Sequence, residues 1–390
     1  MSGNGHNYRD PYGKHPNTRG LGPIGKSNKV HDQGLIMHNA LAFTTTGVPL
    51  GILSQTVWAR RAVPEGESRQ EKSKRLRCTA IEEKESAKWL VALTETMARA
   101  PVGIAVITVA DRESDFFEFL TEAEALRAHY LIRARTDRTL VPEDSAGCDR
   151  MLEALAVAPA LGSLTVAVPG NGGRKARTAT IVVRAVSVTI KSPRRRGHAQ
   201  ASAANESVSL TVIGATETPP PAGHEAISWV LLTNLHVPTF EGVVEKIAWY
   251  GLRWGIETWH KVLKSGCQVE DCLLETAERL KRYLTLFSII GVRLMHVAHL
   301  ARAQPDGPAA AVFSWEEIEA LYVRVHNTCP PPNPLTVREA VRLVGRLGGH
   351  LGRKGDGEPG MTVLWRGWMR LSETVIALRA GRQAGLIDSG

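Results

Sequence analysis

Five polar side chains beyond the middle of the chain, Tyr250, Arg253, Glu257, Lys261 and Lys264, are spaced by three, four, four and three residues. At about 100° per residue they line one face of a helix over 250–264. Leu252, Ile256, Trp259 and Leu263 fall on the opposite side and suit a core. The row extends roughly 21 Å at the helical rise. A single carboxylate among an arginine, two lysines and a phenol has two uses. It can be a solvated face, its Arg253–Glu257 and Glu257–Lys261 pairs contributing about 0.3–0.5 kcal/mol each. Or Glu257 can bind a metal while its cationic neighbours reach for phosphates.

A second carboxylate, Asp111, ends the apolar run 102–110, which has the length of a strand buried on both faces. A carboxylate there opens into the crevice beyond the strand end, where α/β sheets usually build their sites. Read alone, Asp111, Glu113 and Asp115 serve equally well as acids in the first turn of a following helix.

The elements that must position these groups read as a mixed α/β sheet. Two apolar, β-prone runs, 35–43 and 48–60, flank a Gly-containing turn and predict an antiparallel hairpin. A highly charged stretch, 61–85, reads as a mobile or DNA-facing connection to a helix at 86–99. The buried strand, a helix over 114–128 and a strand at 130–135 follow. Residues 136–226 shift to Ala, Val, Thr, Gly and Pro with three β-like runs, which predicts a β-rich insertion. A strand at 229–235 then leads into the polar-row helix and a long helical run over 275–303. The division expected is an irregular lead-in 1–34, a core first part 35–135, the insertion 136–226, a core second part 227–303 and a helical region 304–390. The Gly-rich stretch 352–360 lacks the setting of a phosphate loop and reads as a turn.

Composition narrows the function. Lys and Arg outnumber Asp and Glu by 48 to 39, a net charge of +9 that suits a polyanionic partner. Five scattered cysteines argue against a disulfide framework and for a reducing cytoplasm. Cys267 and Cys272 with His260 lack the second ligand pair a zinc site needs. The most apolar run, 284–300, is interrupted by Arg293, His296 and His299 and reads as a buried helix, so no membrane partner is expected.

The spacing of Tyr250, Arg253, Glu257 and Lys264, inside the text WGIETWHKVLKSGCQVE, resembles the signature of bacterial cut-and-paste DDE transposases of the insertion-sequence-four family. The stretch VADRESD resembles that family's second acidic block, with Asp111 as the second acid of the triad and Glu257 as the third. HPNTRGLGPIGKS and LGRKGDGEPGMTVLWRGW look like family text too, so the resemblance runs from about residue 12 to 382. It implies a ribonuclease-H-like mixed sheet flanked by helices, and a transposase holding Mg²⁺ or Mn²⁺ on Asp111 and Glu257. Two such ions would drive cleavage and strand transfer of double-stranded transposon DNA. Arg253, Lys261, Lys264 and Tyr250 would bind phosphates, with Arg133 a further DNA contact. Trp229 would stack on a flipped base, or else serve as a core tryptophan at a strand edge. The helical tail would pair two copies as a homodimer.

One departure stands out. Family members carry a helical DNA-end-binding domain and a first catalytic Asp, in an Asp-Thr/Ser context, ahead of the Tyr12-Gly-Lys-His-Pro segment. Alignment on that segment puts the first Asp near His6, where His6-Asn7 is no match and Asp10 is the nearest acid. The resemblance therefore implies an N-terminally truncated member that is inactive alone. The alternative is a non-catalytic, DNA-binding or dimerising remnant that inhibits full-length transposase. A two-carboxylate glycosidase is a further reading of Asp111 and Glu257, but the cations around Glu257 favour phosphate over sugar.

Overall fold

The computed structural model describes residues 6–9, 18–24, 33–61, 66–142, 147–168, 176–193, 207–219, 221, 223, 225–332 and 335–386. Asp10 lies outside the described residues. Two sheets and a helical layer make up the fold. The first sheet is built on β3 (Gln33–Phe43), which pairs antiparallel with β4 (Pro49–Trp58) through two register shifts. The other edge of β3 receives a short strand, β1 (His6–Arg9), and a second, β2 (Gly22–Pro23), pairs with β3 beyond the end of β4 on the same edge as β4. The lead-in expected to be irregular thus carries strands, because the exposed edge of β3 offers its backbone groups a partner.

The alternation of β3 assigns its two faces. Leu35, Met37 and Leu41 enter the core of the helical layer, while His38 faces Trp89 with ring centroids 4.6 Å apart. Trp89 belongs to α2 (Ala87–Arg99), which follows the exposed helix α1 (Arg69–Cys78).

The second sheet has six strands in the order β5 (Ile107–Ala110), β6 (His129–Arg133), β10 (Ser228–Thr233), β9 (Ser207–Glu217), β8 (Arg177–Lys191) and β7 (Ala160–Val168). Only β5 and β6 run parallel; the other pairs are antiparallel. Successive residues alternate between two cores. Ala110, Tyr130, Ile132, Val212 and Leu232 face α3 (Phe117–Ala125) and α4 (Met151–Val157). Val109, Leu131, Ile213 and Leu231 face α5 (Phe240–Gly251). This is a mixed sheet flanked by helices, consistent with the ribonuclease-H-like transposase arrangement. The three strands read as an insertion are not set apart from it: β9 pairs with β10, so they widen the sheet that carries Asp111.

Two local expectations fail. The buried strand starts at Ile107, since Gly103 takes a positive φ and Val102 and Ile104 are exposed. Apolar composition alone could not reveal that turn. The polar-row helix is broken as well. After α5, tightened bonds (Arg253 N to Tyr250 O, 3.1 Å; Ile256 N to Arg253 O, 3.2 Å) separate off α6 (Trp254–Lys261). A π turn over Val262–Gly266 follows, closed by Cys267 N donating to Val262 O at 2.8 Å. Gly255 permits the close approach, because a β-carbon there would collide with the Phe43 ring.

The apolar side of the broken helix behaves as read: Ile256, Trp259 and Leu263 are fully buried against α7 (Ala277–Ala303) and β3. By length and composition α7 could cross a membrane, but half of its most apolar window is buried within the fold. It packs on β4, where His296 Nδ1 lies 2.7 Å from Pro49 O, and on α9 (Val337–Leu347). With α8 (Trp315–His326) and α10 (Met361–Gln383) it completes the helical layer. The 352–360 stretch is a run of turns, with positive φ at Gly352, Gly355 and Gly357.

Candidate active site

Asp111 follows the last residue of β5 and caps a short 3-10 turn, its Oδ1 accepting the Glu113 amide at 2.9 Å. The strand-end and helix-acid readings are therefore both true of one residue. Burial holds the Asp111 carboxyl above the ordinary carboxylate range, while the Glu113 amide and then Arg253 and Lys88 pull it back. Arg253 stands at the break before α6 and also faces Glu257, with Nη1 3.6 Å from Oε1. The two carboxylates predicted to act together thus share one guanidinium.

Tyr250 ends α5 beside them. It is buried, hydrogen-bonds to Arg253 and Arg133, and feels the Asp111 charge. Burial raises the phenol's pKa; the two arginines oppose that. Arg133, at the end of β6, is lowered chiefly by burial and then by the cations Arg112 and Arg253. Its Nη2 donates to Ser228 O at 3.2 Å. Trp229, one residue along, meets Tyr250 edge to face at 5.5 Å and is half-buried. Asp111, Glu257, Tyr250, Arg253, Arg133 and Trp229 form one cluster.

The lysines of the row depart from it. The π turn carries Lys264 to Glu270, with Nζ 3.2 Å from Oε1, and Lys261 is exposed. Two residues that the sequence did not mark as part of a site support the cluster. Lys88, in the first turn of α2, pairs with Glu113 at 2.8 Å and influences Asp111. Asp115, read as a first-turn acid, is buried and ties the loop after β6. It accepts the amides of Arg135 (2.6 Å) and Thr136 (3.2 Å) and pairs with Arg138. No local pattern marks these two; their partners lie 20 or more residues away.

Among the described residues no three His, Cys, Asp or Glu side chains converge as a closed metal cage. The Asp111 and Glu257 carboxylates are hard oxygen donors, and Mg²⁺ commonly takes only one or two such groups beside waters and substrate phosphates. The donor set fits that ion.

Away from this cluster, residues 289–385 match the family model for the transposase Tn5 dimerisation domain. That match supports a transposase of the Tn5 kind. It spans the second half of α7 and all of α8, α9 and α10, most of the helical layer, and supports formation of a homodimer.

Proposed function

We propose that this chain is a transposase of the DDE kind that grips duplex DNA across the Asp111 end of its six-stranded sheet. The observation that carries the reading is Arg253. Its Nε is buried with no hydrogen-bond acceptor, and its Nη1, equally buried, has only the 3.6 Å ion pair with Glu257. Buried donors are normally satisfied, and a phosphate oxygen would satisfy both in the fork geometry that arginine favours. Arg133 and Tyr250, already hydrogen-bonded to one another, would set the phosphate's position. Asp111 and Glu257 would hold Mg²⁺ or Mn²⁺, which when bound would neutralise charge on the scissile phosphate and activate a water or 3′-hydroxyl.

Anisotropy of a labelled duplex tests this. Arg253→Gln is expected to weaken binding by about 1.5–3 kcal/mol, as for a hydrogen bond to a charged group, and to lower the salt slope by about 1. Unchanged binding would remove Arg253 from the interface. The wild-type chain is expected to leave supercoiled plasmid uncut in Mg²⁺, because the resemblance places His6 where the first acid belongs. Nicking that Asp111→Ala abolishes would refute that.

The dimerisation match favours a second role, inhibition, since a pairing but non-cutting copy would poison an intact partner. The face that would pair is on α10. Met369 and Ile376 are 44% and 64% exposed there, opposite Leu364, Leu371 and Val375 in the core. Ile376→Glu is expected to convert the dimer to a monomer in light scattering. A mutant that stays dimeric would move the interface elsewhere.

A further inference from the structure

α1 is the part of the molecule that packing does not explain. Every side chain described along it is exposed, and none of its described residues belongs to a hydrophobic core. Its ten residues hold Arg69, Lys72, Lys74, Arg75 and Arg77 against the single acid Glu71. What supports it is local. Ser68 and Glu71 form a capping box, and Glu67 takes the Arg75 guanidinium through two hydrogen bonds, at 2.6 and 2.9 Å. A free-standing helix this short is marginal in water, because helices in proteins draw most of their stability from a packed face. With no buried side chain among those described, and five cations in ten residues, α1 gains most from a surface of negative charge.

Its place in the fold identifies that surface. The loop-out bearing α1 leaves the end of β4 and returns before α2, and its two feet are joined by Arg60 on Glu85 at 2.6 Å. Three residues on, Lys88 is bridged to Glu113, two residues past Asp111. The feet of the loop-out that bears α1 are therefore anchored within a few residues of Lys88, whose partner Glu113 adjoins Asp111 and the cations Arg112, Arg133 and Arg253.

We propose that α1 is a second DNA-docking element, lying on the phosphate backbone of the duplex beyond the stretch held at Asp111, with its helix consolidated by that contact. The proposal rests on the DNA reading of the site but concerns separate residues.

The test uses the full chain. Duplex binding is followed across a salt series for the wild type and for the triple variant Lys72→Gln, Lys74→Gln, Arg77→Gln. Every phosphate that the protein ceases to neutralise lowers the log–log salt slope by about 0.9, so a fall of about 2–3 is expected. Hydrogen exchange on the wild type gives a readout independent of any substitution: α1 amides should slow when duplex is added. An unchanged slope with unchanged α1 exchange overturns the proposal, and if Arg253→Gln still weakens binding, the DNA reading survives it. A wild-type chain that binds no duplex overturns both. Equal protection of α1 by polyglutamate overturns the assignment to DNA in favour of an acidic protein.

Discussion

Gly367→Ala is expected to destabilise the helical layer by about 3 kcal/mol or more and to abolish pairing with it. α9 and α10 meet with their backbones touching: a β-carbon on Gly367 would collide with the Val344 carbonyl, and one on Gly348 with that of Val363. Neither obstacle is a side chain that could swing away. The helices must separate, and Leu343, Val344, Leu364 and Trp368, all buried in this core, are drawn apart together. Overpacking alone costs about 1–3 kcal/mol, and the loosened packing adds to it. Gly251→Ala is the control, since a methyl there meets open space and the residue closes a helix. It should shift stability by no more than about 1 kcal/mol. Denaturant unfolding of both variants decides the matter, and equal midpoints would mean the crossing can relax.

Asp115→Ala should cost about 3–5 kcal/mol, for a different reason. The Asp115 side chain is fully buried, and Arg138, its partner, is only 10% exposed. Removing the carboxylate leaves a buried guanidinium without its counter-charge and the amides of Arg135 and Thr136 without an acceptor. Because the loop it anchors follows Arg133, duplex binding should fall as well. Asp115→Asn retains shape and an acceptor and should lose less. Thermal unfolding of the two variants beside the wild type tests this; an Ala variant as stable as the wild type would show that the loop does not need the clamp.

What the sequence could convey follows from how local each signal is. The apolar runs 35–43 and 48–60 around a Gly-containing turn mark the hairpin, and the stop after Ala110 marks the strand end that carries Asp111. The spacing of Ile256, Trp259 and Leu263 marks the buried side of the polar row. All three patterns repeat within a few residues. The break at Arg253 and the π turn at Val262–Gly266 depend instead on Phe43 crowding Gly255 and on backbone bonds that the same residues could have made otherwise. Lys264 changes partner for that reason alone. Asp115 and Lys88 are legible only through Arg138 and Glu113, partners 23 and 25 residues distant. Likewise β7, β8 and β9 look like a separate unit until β9 is seen paired with β10.

Asp111 and Glu257 are proposed to share one metal beside Arg253. Iron(II) substituted for Mg²⁺ and activated with ascorbate and peroxide cuts a polypeptide next to the bound ion, whether or not the chain cleaves DNA. The cuts are expected near residues 111 and 257 together, suppressed by excess Mg²⁺ and lost in both Asp111→Asn and Glu257→Gln. Cuts at only one of the two segments, or cuts that persist in those variants, would contradict it.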